Sequence, residues 1–206
     1  MKELTVDQYI EIFPNSSFPK QDGEPTYNKL KHIQRLAAEN LASVETTRGG
    51  GQHGLLAILL EPNTHHALTG HTFMAPTNPG PVPTIAGTTR PAAIAAQENA
   101  HKEHLRECKE CKAVSKAILK LTTNAFEPKY LSHLHNRHTG HNNVTVLQVH
   151  QHLFKTYGNI TALELMVNEQ KLKTPWNQEE PIETVFCQIE ECMEFAQHGN
   201  APFTNT

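Results

Sequence analysis

The sequence predicts an all-α fold: a helical domain of about seven helices with a flexible N-terminal arm and a proline-rich internal loop. Two observations carry that prediction. Between residues 145 and 199, apolar side chains recur at helical spacing in three successive runs, each bounded by capping residues. Residues 92–122 contain neither glycine nor proline, and at ~1.5 Å per residue they would form a helix on the order of 45 Å long.

Taken in order, residues 1–25 hold a short apolar stretch over positions 6–13. Pro14, Asn15, Ser16, Ser17, Pro19, Asp22, Gly23 and Pro25 follow. This pattern reads as a weak helix or strand running into a flexible, exposed arm. Residues 26–206 form the helical domain. From Thr26, Leu30, Ile33, Ala37, Leu41 and Val44 keep one helical face, and Arg48-Gly49-Gly50-Gly51 ends the segment. Residues 54–60 are apolar all round, which fits a buried helical turn or a strand, and the helical surroundings favour the turn.

Six prolines fall between Glu61 and Pro91, so residues 61–90 are expected to form a long, exposed, irregular loop. Pro91 opens the long helix. Residues 127–137 suggest a further short helix, and His138 to Asn143 a loop.

The last trio is the best defined. Thr145 caps a run through Val146, Val149, Leu153 and Tyr157 that ends at Gly158, placed as a left-handed C-terminal glycine. Thr161 and Glu164 form a capping box opening a helix through Leu163, Met166 and Val167. After a Thr174-Pro175-Trp176 corner, Pro181 sits in the first turn of a third helix. Ile182, Val185, Phe186, Ile189, Met193 and Ala196 mark its inward face, and Phe195 lies off it.

Composition narrows the function. The chain of 206 residues is 37% hydrophobic and carries a net charge of -3, so no overall basic field draws it to nucleic acid. Four cysteines without an export signal fit a reducing, cytoplasmic setting. No apolar run approaches the roughly 20 residues of a membrane span.

His101, His104, Cys108 and Cys111 share one face of the long helix, but His101 and Cys111 would lie ~15 Å apart along it, beyond one tetrahedral ion. The stripe reads as packing, together with Ile94, Leu105, Ser115, Ile118 and Leu119. Glu98-x-x-His101 is half of a di-iron motif, and no second copy exists. No zinc-protease, phosphate-loop or nucleophile-elbow motif occurs, so no catalytic residue, metal or cofactor is assigned. The chain holds 14 histidines. His133, His135, His138, His141, His150 and His152 cluster, and read as surface side chains. Lys102, Arg106, Lys109, Lys112, Lys116 and Lys120 form a basic face that could meet RNA phosphates weakly; a solvated face with i, i+4 pairs is the simpler reading.

A family resemblance rests on Leu153-Phe154-x-x-Tyr157-Gly158-Asn159-Ile160 and Pro175-Trp176. Pro181-Ile182-Glu183-x-x-Phe186-x-Gln188-Ile189-Glu190 and Phe195-Ala196-x-x-Gly199 complete it. Together they resemble the Gag-like capsid polyprotein of Ty/copia-type retrotransposons, especially the branch of algal and other protist genomes. Gly54-Leu55-Leu56-Ala57 and the loop around Pro76, Asn78, Pro79, Gly80 and Pro81 fit more loosely.

The resemblance implies a non-enzymatic capsid protein that assembles with itself around element RNA. Phe154, Tyr157, Trp176, Ile182, Phe186, Ile189 and Phe195 are its expected packing and assembly residues. The family pattern continues into more helices and a zinc knuckle that this chain lacks, so a truncated or N-terminal part is expected. The alternative is a host-derived helical module that binds a protein partner.

Overall fold

The computed structural model describes residues 3–46, 48, 51–82 and 91–203. Among them are seven α-helices and no strand beyond one bridge between Asn136 and Gly140. The helices are α1 (Val6–Ile12), α2 (Tyr27–Ala42), α3 (Pro62–Thr69), α4 (Pro91–Ala125), α5 (Val146–Tyr157), α6 (Ala162–Leu172) and α7 (Glu183–His198). Three 3-10 turns, Gly51–His53, Leu56–Ile58 and Pro128–Leu134, complete the set. Gly49 and Gly50 of the expected glycine stop, the part of the proline-rich loop over 83–90, and residues 204–206 lie outside the described residues.

The core forms where α2, α4 and α5 meet, with α1 laid along α4. Leu30, Ile33, Ala37 and Leu41 of α2 are fully buried against Val114, Ala117 and Ile118 of α4 and Val146, Val149 and Leu153 of α5. These are the periodic positions of each run. α4 is unbroken over 35 residues, which is ~52 Å. Its burial begins only at Cys108, and the first half from Pro91 carries no buried residue. Cys108 and Ile118 therefore pack as expected, whereas Ile94, His101, His104 and Leu105 do not reach the core.

The N-terminal segment is not a free arm. Thr5 and Gln8 close a capping box on α1, and Tyr9, Phe13 and Phe18 are buried in the core. Asn40, in the last turn of α2 and fully buried, accepts from the Asn15 backbone N–H at 2.9 Å and donates to the Asn15 carbonyl at 2.9 Å. Gln21 N–H donates to the Ala125 carbonyl at 2.7 Å. Polar turn residues that read as flexible are thus fixed by a side chain acting as a second backbone. Tyr9 donates to Glu110 at 3.1 Å, and burial with that carboxylate pushes its phenol up to about 12.

The loop expected over 61–90 contains α3. Only Pro62 falls inside this helix, at its first turn where no N–H is needed, and Gly70 in the left-handed region caps it. Gln151 of α5 donates to Glu61 and ties the start of α3 to the core. Ahead of it the apolar 54–60 stretch is a buried 3-10 turn, with Leu55 and Leu59 in the core.

Gly54 closes this turn against the end of α2. Its φ is +50°, and a Cβ there would sit 2.5 Å from the Leu41 carbonyl oxygen and 2.6 Å from that of Ala42. Gly54→Ala is therefore expected to cost ~2 kcal/mol or more. A urea melt would check it, with an unchanged midpoint as the contrary result.

Gly158 corrects a detail of the expectation. It ends α5 at φ -83°, outside the left-handed region, and is required by contact instead, because a Cβ would lie 2.5 Å from the Phe154 carbonyl oxygen. The Thr161 capping box forms as expected, and Thr145 caps α5 as expected within a further capping box closed by Gln148. Ile182 is the N-cap of α7, so Pro181 precedes the helix.

Candidate assembly surface

α6 and α7 form an antiparallel hairpin that stands at one side of the core. Asn168 donates to the Cys192 carbonyl at 2.8 Å and Gln188 to the Lys171 carbonyl at 2.7 Å. Gly199 lets Leu165 approach, since a Cβ would meet Leu165 Cδ2 at 2.6 Å. The hairpin docks on the start of α2 through Tyr27, whose ring lies edge-on to Phe195 at 5.5 Å and to Phe154 at 5.8 Å. Lys31 pairs with Glu194 at 2.5 Å, and Arg35 approaches Glu191 at 3.9 Å. The Lys31 ammonium holds the Glu194 carboxyl below its usual range.

This docking divides α7 differently from its predicted single face. The packed arc is Val185, Gln188, Cys192, Phe195 and Ala196, with Phe195 only 6% exposed. A second arc of Ile182, Phe186, Ile189 and Met193 runs at i, i+4, i+7 and i+11. Ile182, Phe186 and Met193 are 51%, 56% and 53% exposed, and Ile189 is half-buried. The inward and outward assignments of Phe186 and Phe195 are thus reversed. The physical reason is that half of α7 is apolar, and its contact with Tyr27 selects which part turns inward. On α6, Leu163, Met166 and Val167 likewise face outward, while Leu165 and Asn168 pack on α7.

Of the other expected site residues, Phe154 and Tyr157 are spent inside the chain, Tyr157 lying edge-on to Tyr130 at 5.2 Å. Trp176 sits between α6 and α7, 39% exposed. The basic face of α4 is partly neutralised. Arg106 is held by Glu103 at 2.5 Å, Lys109 by Glu3 at 2.9 Å and Lys120 by Asp7 at 2.8 Å. Lys102, Lys112 and Lys116 are exposed and make no ion pair among the described residues.

A feature that the sequence did not signal is a groove of about 820 Å³ between α2, α3 and the hairpin. Leu60, Leu68, Leu163, Val167 and Phe195 supply its apolar lining, and Lys31, Arg35 and Lys171 stand at its polar edges beside Glu164, Glu191 and Glu194. Its walls come from segments far apart in the chain, which is why no local motif marks it.

The histidines separate into unlike groups. His135 and His141 stack edge-on at 5.2 Å beside the Asn136–Gly140 bridge, and burial together with His135 lowers the His141 pKa. His133 and His152 lie 6.0 Å apart. His150 is not a surface residue: it is buried among the α5 core positions, and neither ring nitrogen has a hydrogen-bond partner.

Among the described residues no group of three or more His, Cys, Asp or Glu side chains is placed to hold a metal ion. Unbroken α4 keeps His101 and Cys111 apart. EDTA is accordingly expected to leave the melting temperature unchanged; a drop restored by zinc but not by magnesium would contradict this. No helix among the described residues is long and apolar enough to cross a membrane. No family model, curated protein or solved structure matches the chain.

Proposed function

We propose that the protein is a structural, non-catalytic assembly protein of the Gag-like capsid type, which associates with copies of itself and encloses RNA. The observation that carries this reading is the unpartnered apolar arc of Ile182, Phe186, Ile189 and Met193 on a hairpin that stands out from the core. A contiguous apolar row of this kind on a small domain is a contact surface awaiting its partner. RNA contact falls to Lys102, Lys112 and Lys116, through phosphates alone and weakly, since few aromatic side chains stand near them for base stacking.

A second reading, a helical module that binds a protein partner, is favoured by the groove between α2 and α6, whose apolar lining with charged edges suits an amphipathic helix. Light scattering and electron microscopy of nuclease-treated protein, with and without added RNA, separate the two. Concentration-dependent particles are the expected result. A monodisperse monomer under every condition would leave only the module reading.

A further inference from the structure

The chain enters the α6–α7 hairpin through one short turn, Gly158, Asn159, Ile160 and Thr161. Among the described residues no backbone hydrogen bond joins the hairpin to the rest of the molecule. It docks through Tyr27, whose ring lies 5.5 Å from that of Phe195 and 5.2 Å from that of His198, and through the ion pairs of Lys31 with Glu194 and Arg35 with Glu191. A hairpin supplied by another copy can make the same contacts.

The turn itself stands close to a helix. Between Val146 and Lys173 there is no proline, and Gly158 is the only glycine. None of the four turn residues has a positive φ, with Gly158 at φ -83°, ψ 9° and Thr161 at φ -83°, ψ 159°. Changes chiefly in ψ therefore carry them into the α region, joining α5 to α6 as one helix of ~40 Å. Two features keep the turn closed: the Thr161–Glu164 capping box, and the missing side chain of Gly158, where a Cβ would lie 2.5 Å from the Phe154 carbonyl oxygen. A regular helix has no such contact, and there alanine is favoured over glycine.

We propose that the α5–α6 turn is a hinge: it opens into a continuous helix, and the α6–α7 hairpin of each copy then docks on α2 of the other in a two-fold, domain-swapped dimer. The contacts themselves fix the occupant, since the exchanged hairpin presents to Tyr27, Lys31 and Arg35 the same Phe195, Glu194 and Glu191 as the chain's own. Exchange of an identical element is a low-cost route to a dimer, and a short hinge loop invites it. Glycine at the bend keeps the closed monomer dominant in dilute solution. The exchange does not use the outer arc of α7, so it stands apart from association through that arc.

Gly158→Ala tests it, because it crowds the closed turn and suits the open helix. It is combined with Phe186→Glu, which removes association through the outer arc, so the result is independent of the assembly reading; circular-dichroism melts establish folding. By sedimentation equilibrium Phe186→Glu alone should be largely monomeric. Adding Gly158→Ala should tighten dimerisation at least ~30-fold, the helical preference for alanine counted at two hinges. Lys31→Glu and Glu194→Lys, each placed on that double variant, then distinguish exchange from any other contact. Either one alone sets like charges together at both docking sites, and a mixture restores two opposite-charge pairs only if the hairpins are exchanged. Native mass spectrometry of the mixture should show mixed dimers favoured ~10-fold over the statistical ratio to homodimers. A Gly158→Ala protein that stays monomeric and is merely less stable, or mixed dimers at the statistical ratio, would overturn the hinge.

Discussion

Acidification from pH 7 to pH 4.5 should remove ~2 to 3 kcal/mol of stability through His150 alone. The imidazole is buried without a hydrogen-bond partner, and burial pushes its pKa down to about 4. In the unfolded chain the group titrates near the ordinary value of ~6.5. The folded state thus holds the neutral form, and its advantage is complete above that value and falls away as the pH drops towards 4. The carboxylates lowered by ion pairing, such as Glu194, begin to act only as the pH nears their ordinary value, so the window between pH 6.5 and about 5 belongs to histidine. His150→Leu should flatten the pH dependence. It should also raise stability at neutral pH by ~1 to 2 kcal/mol, because it removes a buried donor and acceptor that nothing satisfies. Urea melts of both proteins at pH 7.5 and 4.8 check this. An acid loss of equal size in the variant would move the sensitive group elsewhere, first to His141, whose pKa is lowered too.

Phe195→Ala should cost ~3 to 4 kcal/mol, and Phe186→Ala less than ~0.5 kcal/mol. Phe195 fills the contact between the hairpin and Tyr27, where α6 and α7 meet the body of the protein. Its removal leaves a cavity at that one apolar junction, beside ion pairs too exposed to compensate. The damage should therefore be local, with amide exchange speeding up in α6 and α7 before the core. Phe186 loses little because it already faces solvent. The opposite ranking in denaturant midpoints would show that α7 is rotated about its axis relative to the arrangement described.

The comparison of these two phenylalanines shows where a sequence stops being informative. Helical period, capping boxes and end signals are local, so α2, the long α4, α5 and the start of α6 could be read directly. α3 was missed, because the density of prolines further along the loop outweighed the end signals of Pro62 in its first turn and Gly70 after its last. The fixing of residues 3–25 was not legible, because it depends on Asn40 meeting Asn15 across 25 positions of chain. Nor was the burial of His150, whose ring occupies a core position that the helical period marks only by geometry. On α7 both apolar arcs satisfy the same period, and only the tertiary contact with Tyr27 decides between them. The groove, assembled from α2, α3 and α6, has no sequence signature at all.

Cys187 offers a direct reporter of the outer arc. It lies next to Phe186 on α7 and is exposed, while Cys108 and Cys192 are buried and Cys111 is partly covered, with its thiol pushed up by burial. The rate at which a small thiol reagent modifies Cys187 can be followed from dilute to concentrated protein, with Phe186→Glu measured alongside. If copies associate through the outer arc of α7, modification of the wild type should slow as concentration rises while the variant stays fast. Equal rates for the two proteins at every concentration would contradict assembly through this surface.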